Sequence, residues 1–166
     1  MKQLTVTQIV APCSDWYTSE SAERGTFVHL VAARLMRGQS ATIPTKWVGY
    51  AHALNSWLEA MRPTWIHIEK RLVHPTYDYN GRPDGIGVCR LGPFVVDYKT
   101  GVWQPWHPLQ LAAYDMLAWL GMPRKRFGVY LQSDGRCRVR EFTNAGDYFE
   151  FTKKLKEAID GQSIES

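Results

Sequence analysis

Apolar positions recur at helical spacing after Ser21, a candidate N-cap: Ala22, Phe27, Val28, Val31, Ala32 and Leu35 follow one another until Gly38. A second helical pattern opens at Pro44, a residue suited to a first turn. It runs through Val48, Ala51, Leu54, Trp57 and Leu58 and stops before Pro63. From Trp65 to Val73 the period drops to two, with Trp65, His67, Glu69 and Arg71 opposed to Ile66, Ile68 and Leu72, which predicts a half-buried strand. Tyr77 to Cys89 carries the turn residues Asn80-Gly81 and an apolar run from Ile86, and Gly92-Pro93 leads into a third strand, Phe94 to Tyr98. Helical spacing returns from Pro105 to Leu120, with Leu109, Ala112, Ala113, Met116, Leu117 and Leu120 on one side and Gly121 as terminator. Arg126 to Gln132 and Arg138 to Phe142 read as a hairpin around Ser133-Asp134-Gly135, and Asp147 to Ile159 as a closing helix. Ahead of all these, Thr5 to Val10 is a short apolar segment interrupted by Pro12, and Ser14 to Glu20 reads as a loop. The order α-α-β-β-β-α-β-β-α predicts an α/β unit, a mixed central β-sheet flanked by helices.

Composition narrows the class. At 166 residues the chain suits one domain, 1–166, with a helical N-terminal region (residues 1–62), a sheet and helix (64–121), and a hairpin and helix (125–160). Hydrophobic residues at 45% and charged residues at 22% exclude a disordered chain, and no window of eighteen apolar residues predicts a membrane span. Met1 to Val10 lacks the pattern of a secretory signal, so a cytoplasmic location is the expectation. Cys13, Cys89 and Cys137 are scattered and odd in number, as reduced packing residues are. The net charge of +4 and pI near 9.0 favour a polyanionic partner mildly. Seven Trp, eight Tyr and six Phe serve either a large aromatic core or the stacking of unpaired bases.

The chemistry concentrates in Gly81-Arg82-Pro83-Asp84-Gly85 and in Val95-Val96-Asp97-Tyr98-Lys99-Thr100-Gly101. Residues two apart in a strand share a face, so Asp97 and Lys99 project together. If the Asp84 turn lies beside that face, two carboxylates and an ammonium converge. Hard oxygen donors suit Mg²⁺ or Mn²⁺, and such an ion beside a lysine suits phosphodiester hydrolysis. An Asp-x-Lys alone also describes an exposed strand ending in charges. Here, however, Asp97 follows the apolar run Phe94-Val95-Val96, where an unpaired carboxylate is costly.

With these motifs in view the chain resembles the PD-(D/E)XK nuclease superfamily and, within it, the RecB-like exonuclease group that includes the mitochondrial genome maintenance exonuclease. The resemblance runs from about Thr5 to Tyr114. Gly81 to Asp84 matches the acidic turn, and Asp97 to Gly101 matches Asp-x-Lys followed by Thr-Gly. Gly25-Thr26-Phe27-Val28-His29 is similar to the helix whose imidazole completes the metal site, which implies His29, Asp84 and Asp97 as ligands. Glu69 matches the acid that precedes the turn and is implied to hold a water, with Asp84, Asp97 and Lys99 as its catalytic companions. Gln110-Leu111-Ala112-Ala113-Tyr114 looks like the Gln-x-x-x-Tyr helix, which implies contact of Gln110 and Tyr114 with the backbone of the strand being cut. Thr5 to Ile9 resembles the short opening segment packed near the mouth of the site.

The resemblance implies a restriction-endonuclease-like core and a Mg²⁺- or Mn²⁺-dependent DNA exonuclease. Its substrate would be single strands or duplex ends in replication, recombination or repair, beside a helicase or recombinase partner, in a phage-derived setting. Arg24, Lys46, Arg71 and Arg82 with Trp103 and Trp106 are the candidate nucleic-acid track, although both indoles also suit packing of the loop before the third helix. Three cysteines cannot supply the four-thiolate iron–sulfur cluster of some members, so none is expected. No Gly-x-x-x-x-Gly-Lys-Ser/Thr, His-Glu-x-x-His, Gly-x-Ser-x-Gly or Cys-x-x-Cys occurs, which removes a motor, zinc-protease, serine-hydrolase or structural-zinc reading. A non-catalytic DNA-binding or complex-assembly domain, and an endonuclease or junction resolvase, stand as alternatives on the same fold.

Overall fold

A computed structural model describes residues 3–11, 18–118 and 124–164, with side chains to 161. Among the described residues eight strands and five α-helices follow one another: β1 (Leu4–Thr5), α1 (Val6–Val10), α2 (Ser19–Met36), α3 (Val48–Met61), β2 (Thr64–Ile68), β3 (Leu72–Val73), β4 (Tyr79–Gly81), β5 (Gly85–Cys89), β6 (Gly92–Lys99), α4 (His107–Leu117), β7 (Lys125–Leu131), β8 (Cys137–Glu141) and α5 (Gly146–Ile164). The large sheet has the order β2-β5-β6-β7-β8. Its β6–β7 pair is parallel, joined through α4, and the other pairs are antiparallel. A mixed sheet flanked by helices is the α/β fold that the periodicity predicts, and it is consistent with the restriction-endonuclease-like core that the resemblance implies.

Strand β6 lies at the centre, and its alternation divides the interior. Phe94, Val96 and Tyr98 face α2 and α3, where they pack with Val28, Leu54 and Trp57. Val95 faces the opposite layer, with Leu111 of α4, Val6 of α1 and Phe151 of α5. Asp97 and Lys99 continue the Val95 side toward α4, as the period of two requires.

Several expected elements differ. The first helix starts at Ser19, because Thr18, not Ser21, caps it by accepting the Ser21 amide at 3.1 Å. Ser19 and Glu20 are therefore helical rather than in a loop, and the rest of that expected loop, like Cys13, lies outside the described residues. Thr5 to Val10 is a strand end and a capped helical turn. Pro44 precedes a 3₁₀ turn, Thr45–Trp47, ahead of α3. The third predicted helix ends at Leu117, with Leu120 and Gly121 outside the described residues.

The strand expected over Trp65 to Val73 breaks in two. A register shift between Trp65 and His67 puts both Trp65 and Ile68 on the core side and leaves Ile66 exposed, the reverse of simple alternation. Glu69 then takes a left-handed conformation, φ 50°, and the chain leaves for a second sheet of order β1-β4-β3. Asn80-Gly81 lies within β4 rather than in a hairpin turn. Gly81 is required there by packing: a Cβ would sit 2.7 Å from Leu117 and 2.8 Å from Tyr114.

Gly49 is the tightest contact between α3 and the β7–β8 turn, where a Cβ would lie 1.7 Å from the Ser133 carbonyl oxygen. Backbone must move to admit it, so Gly49→Ala should cost about 1–3 kcal/mol, read from chemical denaturation. An unchanged midpoint would show that this turn gives way freely.

Candidate metal centre

Strand register assembles the site. Gly85 pairs with Ile68 on one side and with Val96 on the other, so the residues one step beyond, Glu69, Asp84 and Asp97, reach the same end of three adjacent strands. The Glu69 amide donates to the Asp84 carbonyl at 3.1 Å, carrying the pairing through the left-handed turn. Helix α2, seated by Val28, Ala32 and Met36, brings His29 over that edge.

His29 Nδ1 lies 2.6 Å from Asp84 Oδ1 and 3.7 Å from Glu69 Oε1, and ligand atoms of these three residues all fall within 4.8 Å of one another. Asp84 Oδ2 accepts the Tyr98 amide at 2.6 Å. Glu69 is gripped by Arg82, whose Nε is 2.6 Å from its carboxylate and 3.0 Å from its carbonyl. Asp97 is not one of the 4.8 Å group. Its Oδ2 is buried without a hydrogen bond and faces Lys99 Nζ at 2.5 Å as an ion pair.

Lys99 also donates to Gln110 Oε1 at 2.6 Å, and Gln110 Nε2 donates to the Tyr114 hydroxyl at 3.1 Å. The amide and phenol therefore share one helix stripe, in which Gln110 holds the lysine and Tyr114 holds Gln110. The Trp106 ring lies 5.1 Å from Lys99 Nζ, and the neighbouring His107 bonds the Tyr130 hydroxyl at 2.8 Å. Burial, and then the Lys99 charge, pushes His107 down to about 3, so the imidazole beside the lysine is neutral.

The acids crowd one another. Asp84 and Asp97 are each only 3% exposed, and burial drives Asp84 up to about 7 although His29 opposes it. The Asp84 carboxylate in turn raises His29 to about 11 against its own burial. Glu69 is net lowered: burial acts upward, but hydrogen bonds from His29 and Asp84 and the Arg82 charge prevail. An imidazole and two carboxylates within 4.8 Å, with a third buried carboxylate beside them, are a donor set that fits a hard divalent ion. Such an ion must displace the proton that the His29–Asp84 pair holds. Manganese affinity should therefore rise with pH from about 6, as Asp84 ionises, and go on rising above pH 8, because His29 holds its proton to about pH 11, with protons released on uptake, as calorimetry in two buffers of different ionisation enthalpy would read. Affinity independent of pH would mean the ion avoids His29.

The expected nucleic-acid track is dispersed. Lys46 pairs with Glu23 at 3.3 Å and covers Trp47, and Arg71 bonds Asn80 and Gln3 in the small sheet. Trp103 lies under Arg140, while Arg24 and Trp106 line a cavity of about 550 Å³ beside His29 and Lys99. Of the six, Arg82 alone lines the larger cavity, about 880 Å³, that contains the acids. That cavity brings in two residues the sequence reading passed over, Arg34 and Arg37. The signal was available in their spacing, four and seven residues after Leu30 on a predicted helix.

Among the described residues no helix is long and apolar enough to cross a membrane. No protein-family pattern and no curated protein matches the chain. Solved structures do. LHK-Exo in complex with dAMP is 14% identical over 98% of this chain and 89% of its own, with a TM-score of 0.55. SSO0001 is 20% identical over 98% and 78%, with a TM-score of 0.51. A second LHK-Exo structure, described as an alkaline exonuclease from Laribacter hongkongensis, is 16% identical over 98% and 92%, but its TM-score of 0.44 carries no argument. At these identities the likeness speaks for architecture alone: the chain shares the α/β fold of LHK-Exo and SSO0001.

Proposed function

We propose that this chain is a divalent-metal-dependent nuclease of the PD-(D/E)XK superfamily, in its RecB-like exonuclease group, that hydrolyses phosphodiester bonds of DNA single strands or ends. The observation that carries the reading is the convergence of His29, Glu69 and Asp84 within 4.8 Å beside the Asp97–Lys99 pair, all at one end of a buried sheet. His29, Glu69 and Asp84 would hold Mg²⁺ or Mn²⁺ with Asp97 as a further carboxylate, and the ion would supply Lewis acidity to the phosphate and acidify an attacking water. Lys99, held by Gln110, offers its ammonium to the charge that gathers on the phosphate oxygens. Glu69, fixed by Arg82, orients the water. Gln110 and Tyr114 keep the lysine aimed, and the amide hydrogen and hydroxyl proton they retain are available to the strand backbone.

The test is labelled single-stranded DNA incubated with Mg²⁺, Mn²⁺ or EDTA. Release of mononucleotides with metal alone supports the proposal. Retention of the strand uncut in Mn²⁺ sinks the enzyme, and cutting of a circular strand replaces exonuclease by endonuclease.

A further inference from the structure

The 880 Å³ cavity continues past the metal centre along one face of α2, where Thr26, Leu30, Arg34 and Arg37 follow at spacings of four, four and three. Two features of this face suit a polyanion. Of the three arginines lining the cavity, Arg82 pairs with an acid, whereas among the described residues neither Arg34 nor Arg37 does. Arg34 makes no side-chain hydrogen bond among the described residues. Arg37 is held in place by two carbonyls, those of Ala33 at 2.9 Å and Ile68 at 3.3 Å, which leaves its charge uncompensated. Leu30, adjacent to His29 and between it and the arginines, is 63% exposed, an apolar side chain presented to the groove.

The axial rise of an α-helix puts Arg34 about 7.5 Å and Arg37 about 12 Å beyond His29. A polyanion lying along α2 would thus meet the metal centre, an apolar contact and two unneutralised cations in turn. An apolar side chain gains from the face of a base only when that base is unstacked, as in a single strand and not inside a duplex.

We propose that the α2 face of Leu30, Arg34 and Arg37 is a track for an unpaired nucleic-acid strand. Arg34 and Arg37 hold phosphates leading away from the metal centre, and Leu30 supports the base next to the bond being hydrolysed. The direction of the track rests on the nuclease reading, but strand binding itself does not require the metal.

The experiment is fluorescence anisotropy of a labelled oligothymidylate with the full chain in EDTA, repeated over a range of salt, with thermal midpoints checked for every variant. Each phosphate contact contributes about 0.7 to the slope of log affinity against log salt for a single strand. Arg34→Ala and Arg37→Ala should each reduce the slope by about that amount, and Arg34→Lys should restore it. Leu30→Ser should weaken binding roughly tenfold with the slope unchanged. Lys153→Ala, which removes an exposed charge from α5, should alter neither. In Mn²⁺, Arg34→Ala should raise KM with kcat kept. Unchanged slopes in both arginine variants, or blunt duplex bound as tightly as the single strand with no loss on Leu30→Ser, overturn the track. A wild type that cuts DNA while the arginine variants keep its slope leaves the nuclease reading intact and removes the track. A wild type that shows these slopes but never cuts in Mn²⁺ does the reverse.

Discussion

Asp84→Asn is expected to keep the fold and lose manganese uptake, with strand cleavage falling on the order of 10³-fold or more. The substitution keeps an oxygen able to accept the Tyr98 amide, so the turn before β5 retains its tie to β6. It removes the charge that holds His29 and that a divalent ion needs. Burial raises Asp84 far above the ordinary carboxylate range, which means its ionised form is costly in the fold as the pH climbs through about 7. Folding stability attached to this group is present at low pH and diminishes as the carboxyl ionises. The asparagine variant escapes that cost but also loses the ion pair that raises His29, so it is expected to melt near the parent's temperature at neutral pH, while calorimetry reads no ion. Lys99→Ala is its complement: manganese still binds and cleavage is lost, because the ammonium contacts Asp97 and Gln110 rather than the His29 group. Full activity in either variant would remove the proposed chemistry from these residues.

Trp57→Ala is the substitution expected to damage the fold most, by about 3–5 kcal/mol in urea denaturation. Its ring is 2% exposed on α3 and meets Phe94 and Tyr98 edge-on, with centroids 6.1 Å and 5.6 Å away. Both partners belong to β6, the strand that carries Asp97 and Lys99, and Trp65 of β2 lies against the same indole at 6.3 Å. The void would open directly behind the strands that align the acids. A loss of this size takes a large share of the roughly 5–15 kcal/mol typical of a domain, so the variant is expected to bind manganese poorly near physiological temperature and to recover on cooling. A loss below about 1 kcal/mol would mean that the aromatic layer repacks around the gap.

These two residues show where the sequence could be read and where it could not. Trp57 sits on a stripe with Ala51, Leu54 and Leu58, and its inward position follows from helical period alone. Asp97 and Lys99 share a face because strand geometry leaves no alternative. Glu69 is legible as a letter matching a pattern, yet its place opposite Asp84 depends on a bulge that shifts the register of β2 and on a left-handed turn, neither of which alternation encodes. Asn80-Gly81 misleads for the converse reason. The pair favours a turn locally, but Gly81 is selected by the lack of room beside Tyr114 and Leu117, a contact between residues more than thirty positions apart.

The cation assignments divide the same way. Arg82 stands out because it lies inside a motif. Lys46 and Arg71 are as basic on paper as Arg34 and Arg37, but Glu23 pairs with the first and Asn80 and Gln3 hold the second away from the cavity, and only folded neighbours reveal which charges face it.

Order along the chain thus determined the α/β class, the buried central strand and the identity of the acids, since these follow from periods of 2.0 and 3.6 and from short-range spacing. Tertiary structure decided which acids meet, which partner holds the lysine and which arginines line the groove. Those outcomes depend on register across strands and on side-chain pairing between distant segments, and neither is written in any local stretch of residues.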